Sequence, residues 1–414
     1  MCGSTAEETS IDPRFIFRRA YPIDPFTLHL EAFMYPARIP SAFLKTKAFH
    51  PVRFRNAAAT LVIACVAMTG LSPSSRAQDV PPSDTLLSSR AVVFNPQSRK
   101  MYVVDKAHGA VSVIDGATGA ASSVKVGAEP IAIAANSVTG RAYVANAGNG
   151  TVSVLDGGNN SVIATVDVGA RPYVLAVNEA TNKIYVSNTF SNVLTVIDGS
   201  TNTTTTQKMG SSDAIVIGPK INKIYFLGYE DTNLNVLDGA SGDLAKVEIG
   251  MHLWGMAVNE AASTIYVTHV GDTAVSVLDE KTHAVQTIAT GAFPSAVAVN
   301  PLTNMAYVAN YGDASVTVID GSKHIAVATV PVGRHPQAVA VDPKTNLIYI
   351  ANTHGNSVSV INGATNQVVA TIPAGQNPYA LALDPDSGRM VVADMGEPSF
   401  TSIDTRTVRP ARLR

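Results

Sequence analysis

From residue 91 onward the chain alternates. Runs such as "SAVAV" (295–299), "AYVAN" (306–310), "SVTVID" (315–320) and "AVATVPV" (326–332) are rich in β-branched residues and alternate in polarity, the pattern of half-buried β-strands. No run of ten or more residues carries a helical period. Turn phrases separate the runs: "NPLTN" (300–304) joins the first two, Asp320-Gly321 follows the third, and "GRHP" (333–336) leads onward. The glycine of Asp-Gly is expected to supply the positive φ that a tight hairpin needs.

This set of four strands recurs. Its second strand carries a tyrosine at Tyr102, Tyr143, Tyr185, Tyr225, Tyr266, Tyr307 and Tyr349, with Val391 in the eighth place, at spacings of 40 to 42 residues. So tight a period means one supersecondary unit packed on copies of itself. Four antiparallel strands in about 41 residues match a propeller blade, which cannot bury both faces alone and so demands neighbours. A β-helix has much shorter rungs, and the period-2 pattern excludes helical solenoids. The fold class expected is all-β, a β-propeller. Eight first, second and third strands are visible but only seven clear fourth strands, so eight blades are favoured over seven with a leftover unit. The missing strand would come from 406–414 or from within 80–88.

Upstream the pattern changes. Lys45, Lys47, Arg53 and Arg55 precede an uncharged run from Ala57 to Leu71, followed by Ser75-Arg76-Ala77. Basic head, apolar middle and small-x-small site form the layout of a secretory signal peptide. The run is short of the roughly 20 residues a membrane span wants. The chain is thus divided into an extension at 1–77 with the signal at about 45–77, a linker at 78–89 and the propeller at 90–410. The mature protein is expected to be secreted or periplasmic, at or near the cell surface, with no membrane span. A retained anchor and a lipid on Cys65 are the alternatives, and Met34 is an alternative start. Cys2 and Cys65 are the two cysteines, so the propeller has no disulfide and no thiolate metal site. It also has 21 Lys/Arg against 27 Asp/Glu over 78–414, a balance that argues against nucleic acid as partner.

The second-strand phrase carries a resemblance. Tyr266-Val267-Thr268 is followed by His269, and "IYVSN" (184–188), "AYVAN" (306–310) and "IYIAN" (348–352) are variants of it. From Arg90 on, the chain resembles the YVTN-repeat β-propeller family. That resemblance implies an exported, surface-layer or periplasmic protein, among relatives often without an assigned activity; related propellers include lactonases and domains of redox enzymes. The sole tryptophan, Trp254, stands in no Trp-Asp pair, which makes a WD-repeat protein the poorer match.

Comparing the repeats with one another locates a candidate site. Turns between first and second strands ("NPLTN", "DPKTN", "NEATN") and between third and fourth ("DGAT", "DGST", "NGATN") are nearly constant. In a propeller they share one face. Loops of the opposite face differ: "ARPY", "MHLW", "AFP", "RHPQ", "QNPY". A ligand surface needs different groups in different places, so binding is assigned to the varied face, to Arg171, Tyr173, His252, Trp254, Phe293, Arg334, His335 and Tyr379. Aromatic and arginine side chains carry much of the energy at interfaces. Their bland reading is that the aromatics plug the channel mouth and the arginines are solvated.

Among histidines, His108, His252, His269, His335 and His354 fall on the varied face, with His252/His269 and His335/His354 as two pairs from single blades. No H-x-H, H-x-x-H or C-x-x-C-H spacing occurs, and no G-x-S-x-G elbow, P-loop or dinucleotide fingerprint. The channel-lining phrases, such as "YVLAV" and "QAVAV", carry no charge and no histidine. No catalytic residue, metal or cofactor is expected on these grounds. The function expected is a non-enzymatic scaffold that recognises a protein, peptide or glycan at the cell envelope; the alternative is a metal-assisted lactonase or a redox protein.

Overall fold

In the computed structural model, the described residues are 91–407 without 189–190, 210–211, 219, 229–230 and 396–399. They all belong to the compact unit Ser74–Arg414. The extension, signal and linker expected at 1–77 and 78–89 lie outside the described residues. No described helix is long and apolar enough to cross a membrane.

The strands form eight separate antiparallel sheets, each ordered first to fourth strand as in the sequence. These blades span 92–125, 130–167, 172–208, 214–248, 253–289, 294–331, 336–373 and 378–404. First strands touch their neighbours all the way round, and that of blade eight (Pro378–Asp384) packs on that of blade one (Val92–Asn95). The ring is closed: an eight-bladed propeller. Blade eight has three strands among the described residues. Thr405–Thr407 form a 3-10 turn, not the start of a fourth strand.

The second strands build the core. Their tyrosines are at most 2 % exposed, and apolar clusters lie between adjacent sheets, one joining Tyr143 and Val154 to Leu175 and Ile184 of the next blade. Burial pushes the phenols of all seven tyrosines up, which keeps them neutral. The Asn of the repeated phrase is also structural. Its amide donates to a third-strand hydroxyl seven residues on: Asn146 to Ser153, Asn188 to Thr195, Asn310 to Thr317 and Asn352 to Ser359, each 2.9 Å.

The constant face is held by two devices, one of backbone and one of side chains. The third-to-fourth turn is tied to the first-to-second turn of its own blade, as in Gly199 N–H to Asn182 O (2.8 Å) and Gly363 N–H to Asn346 O (2.9 Å). Side chains then cross between blades: Asn178 donates to Asn222 (2.8 Å) and Asn300 to Asn346 (2.8 Å). Blades eight and one are joined by charge instead, Arg99 to the Asp384 carboxylate at 2.9 Å.

One expectation fails here. The glycines of the Asp-Gly turns are not among the residues with positive φ. They are needed for space: a Cβ on Gly199 would lie 2.4 Å from Asn182 Oδ1, and one on Gly321 2.5 Å from Asn304 O. The left-handed residue comes three positions later, as at Asn160, Asn202 and Asn366.

Candidate functional site

In six of the eight blades the varied face carries two recurring positions, on either side of the start of the first strand. Just before that strand, Glu129, Arg171, His252, Phe293, His335 and Asn377 all hold φ between 49° and 56°. At the other recurring left-handed positions the chain mostly uses Asn or Gly, for example Asn182, Asn222, Asn304 and Asn346, the residues that enter this region at least cost. The rim set has one Asn and no Gly. Arg, Phe and Glu cost about 1–2 kcal/mol each there, a cost that points to side chains retained for what they do.

Backbone hydrogen bonds enforce the conformation. The carbonyls of Glu129, His252, Phe293 and His335 accept from the N–H of Ala147, Val270, Tyr311 and Thr353, at 2.9, 2.9, 2.9 and 3.0 Å. Proline follows five of the six rim residues.

Immediately inside lies a β-bulge. Pairing shifts register at Pro130/Ala132, Leu253/Met256, Pro294/Ala296, Pro336/Ala338 and Pro378/Ala380, and blade three has a matching shift at Ser187/Asn188. Bulges re-aim side chains beside functional sites. The residues set apart from regular pairing are again chemically mixed: Ile131, Tyr173, Trp254, Ser295, Gln337 and Tyr379.

The predicted site residues take different roles on this frame. Arg171 and Arg334 are exposed, and Trp254 and His252 half-buried. Phe293 is 7 % exposed. Tyr173 packs against the cores on both sides of blade three. Tyr379 does so at the closure of the ring, and burial together with the Asp394 carboxylate pushes its phenol up to about 12. These two tyrosines are therefore partly structural. The candidates lie on five blades, and His335 is in ring contact with Tyr311 and His354.

That contact is the most specific chemistry on the face. His335 stacks on Tyr311, centroids 4.4 Å apart and planes 13° apart, and meets His354 edge-on at 4.4 Å and 65°. The Nδ1 atoms of the two imidazoles face one another in direct contact. His354 lies in the 3-10 turn Thr353–Gly355. Behind them Thr353 donates to Gln337 Oε1 at 2.7 Å and both residues are buried.

The second histidine pair dissolves. His269 is 4 % exposed. Its Nδ1 meets Met251 O at 2.9 Å and its Nε2 meets Ser276 Oγ at 2.7 Å, so it replaces the structural Asn of the other blades. His108 is exposed and pairs with Asp105 at 2.9 Å. No cluster of three or more His, Cys, Asp or Glu suited to a metal occurs among the described residues.

The rim geometry yields one stability prediction. Arg171→Gly removes the left-handed cost and raises stability by about 1 kcal/mol in denaturant melts. An unchanged or lowered midpoint would mean that Arg171 is not held against its preference.

Sequence reasoning missed the rim device and Tyr311. The recurring Xaa-Pro pairs, Glu129-Pro130 through Asn377-Pro378, were its visible signal; the stacking on Tyr311 had none.

No protein-family model matches the chain, and no curated protein matches it by sequence. Solved structures do. A hydrazine synthase from Kuenenia stuttgartiensis is 18 % identical over 82 % of this chain and 100 % of that one, with a TM-score of 0.54. The dihydro-heme d1 dehydrogenase NirN, in complex with DHE, is 14 % identical over 80 % of this chain and 76 % of that one, with a TM-score of 0.63. At these identities the likeness establishes the propeller fold. Both neighbours are enzymes, one a dehydrogenase by name, and this corrects the expectation of a non-enzymatic binding scaffold.

Proposed function

We propose that the chain is a redox enzyme of propeller type, acting at the varied face on a flat, conjugated, carboxylate-bearing molecule of the tetrapyrrole class. The observation that carries this reading is the rim itself. Six dissimilar residues are held in the left-handed region at one structural position, Arg171 and His335 among them, whereas the constant face uses mostly Asn and Gly at its own left-handed positions. Half-buried Trp254 and Tyr173 offer ring faces to a planar ligand. Arg171 and Arg334 offer planar donors to carboxylates. The fold is one it has in common with a dehydrogenase named for dihydro-heme d1.

The lactonase reading has less behind it, because metal-assisted hydrolysis asks for several ligands gathered round an ion with an open position. We read the repeat as of the YVTN type, on the phrases at 184–188, 266–269, 306–310 and 348–352. We also propose export through the signal-like segment at 45–77, which places the propeller in the periplasm or outside the cell.

Haem, with its two propionates, serves as the probe. Titration into the purified protein is expected to give a saturable shift of the Soret band, weakened at least tenfold in Arg171→Ala/Arg334→Ala and in Trp254→Ala. Binding that is absent, or indifferent to all three changes, would overturn the reading.

A further inference from the structure

We propose that His335 and His354 form a binding site for a single copper ion. Blade seven supplies both ligands, one from each of its two loops on the varied face. The inference deepens the redox reading, on which it rests for its purpose, while its chemistry depends on these side chains alone.

Two imidazoles with facing Nδ1 atoms present two nitrogen lone pairs to one point. His354 is exposed and edge-on to its neighbour, so rotation of that one ring opens the gap to the roughly 4 Å that two metal–nitrogen bonds of about 2 Å require. His335 does not share this freedom. Its carbonyl is tied to Thr353 N–H at 3.0 Å, its φ is 53°, and its ring lies flat on Tyr311, which is 2 % exposed. One ligand is fixed and one can turn, the arrangement of a site that closes on an incoming ion.

The choice of metal follows from ligand number and type. Zinc in proteins takes four ligands, or three and a water, and no set of three His, Cys, Asp or Glu gathers among the described residues. Copper stands highest in the affinity order for nitrogen sites, and its reduced form is content with two imidazoles. Haem iron fits worse as the shared target. Axial ligands approach it from opposite faces of the macrocycle, whereas these two rings touch one another. The Tyr311 ring, stacked on the fixed ligand, covers one face of that imidazole.

The full chain is loaded with Cu(II), and separately with Cu(I) under reducing conditions, then dialysed against a competing chelator. One copper per chain is expected to remain. His354→Ala and His335→Gln should each weaken retention at least 100-fold, while His108→Ala leaves it unchanged; the Cu(II) spin-resonance spectrum should show coupling to two nitrogens. His354 is exposed on a turn, and an unchanged melting temperature in that variant separates loss of a ligand from loss of fold. Copper held equally well by His354→Ala, or by no form of the protein, would overturn the site and leave a proton-sharing imidazole pair. Haem bound through His335 with His354 dispensable would do the same. Copper retained in Trp254→Ala and Arg171→Ala/Arg334→Ala, with haem binding lost, keeps the two proposals apart; copper binding without haem binding in the native protein sinks the tetrapyrrole reading alone.

Discussion

Replacing Asp394 by asparagine is expected to raise stability by roughly 2–3 kcal/mol at pH 8 and to leave it unchanged at pH 4. In blade eight this carboxylate occupies the place of the structural Asn in blades two, three, six and seven. It is 3 % exposed. Its Oδ2 accepts from Thr401 at 2.6 Å, and its Oδ1 finds no hydrogen-bond partner among the described residues. Burial pushes its pKa up to about 6, against hydrogen bonds from Thr401 and the Gly375 backbone that pull it down. A raised carboxyl pKa means that the folded state holds the proton more tightly than the unfolded chain does. The contribution is therefore complete below pH 4 and lost as pH rises through 6. An amide restores the neutral donor that Asn310 and Asn352 use in the same position. Denaturant melts at the two pH values measure the difference; a gain of equal size at both would assign the effect to packing and not to charge.

Asp384→Ala is expected to cost about 3 kcal/mol, with the opposite dependence on pH. This side chain is fully buried while its partner Arg99 is 44 % exposed. It accepts from the backbone of Asp386 (2.9 Å) and Ser387 (3.2 Å), from Ser387 Oγ (2.7 Å) and from Arg99 (2.9 Å). Burial works to raise its pKa, but the hydrogen bonds from Ser387 and Asp386 and the charge of Arg99 outweigh it and hold the carboxyl below its usual value. Here the stabilisation is present above the unfolded pKa and is lost as pH falls through the folded one. The contact also joins the last blade to the first. Acid melts of wild type and Asp384→Asn should converge as pH falls; melts that stay parallel would show that the ion pair does not close the ring.

These two aspartates mark what could be read in advance. Period and alternation made eight blades legible, because a 41-residue phrase with period-2 burial has few other ways to hide both faces. The division into a constant and a varied face was legible too, since turns that only turn can be copied. What the turns do in detail was not. The Asp-Gly glycines are set by the approach of a neighbouring carbonyl or amide across the blade, a distance of tertiary structure that no local phrase contains. His269 and His335 look alike in sequence. One is a buried ring held between Met251 O and Ser276 Oγ, the other is stacked on Tyr311 at the rim, and the difference lies in which strand end holds them.

The expected scaffold gave way for a related reason. An uncharged bore speaks only for the bore: the Arg and His side chains proposed to bind stand on the rim, outside the strands that line it. The loops after the fourth strands hold Arg171 and His335 in a left-handed conformation that Asn or Gly would adopt at less cost.

A crystal structure of the full chain soaked with haem tests this most directly. The account predicts density for a planar macrocycle over the mouth of the bore on the varied face, with carboxylates at Arg171 or Arg334 and a ring face against Trp254. Density on the constant face, or between the outer strands of neighbouring blades, would contradict it.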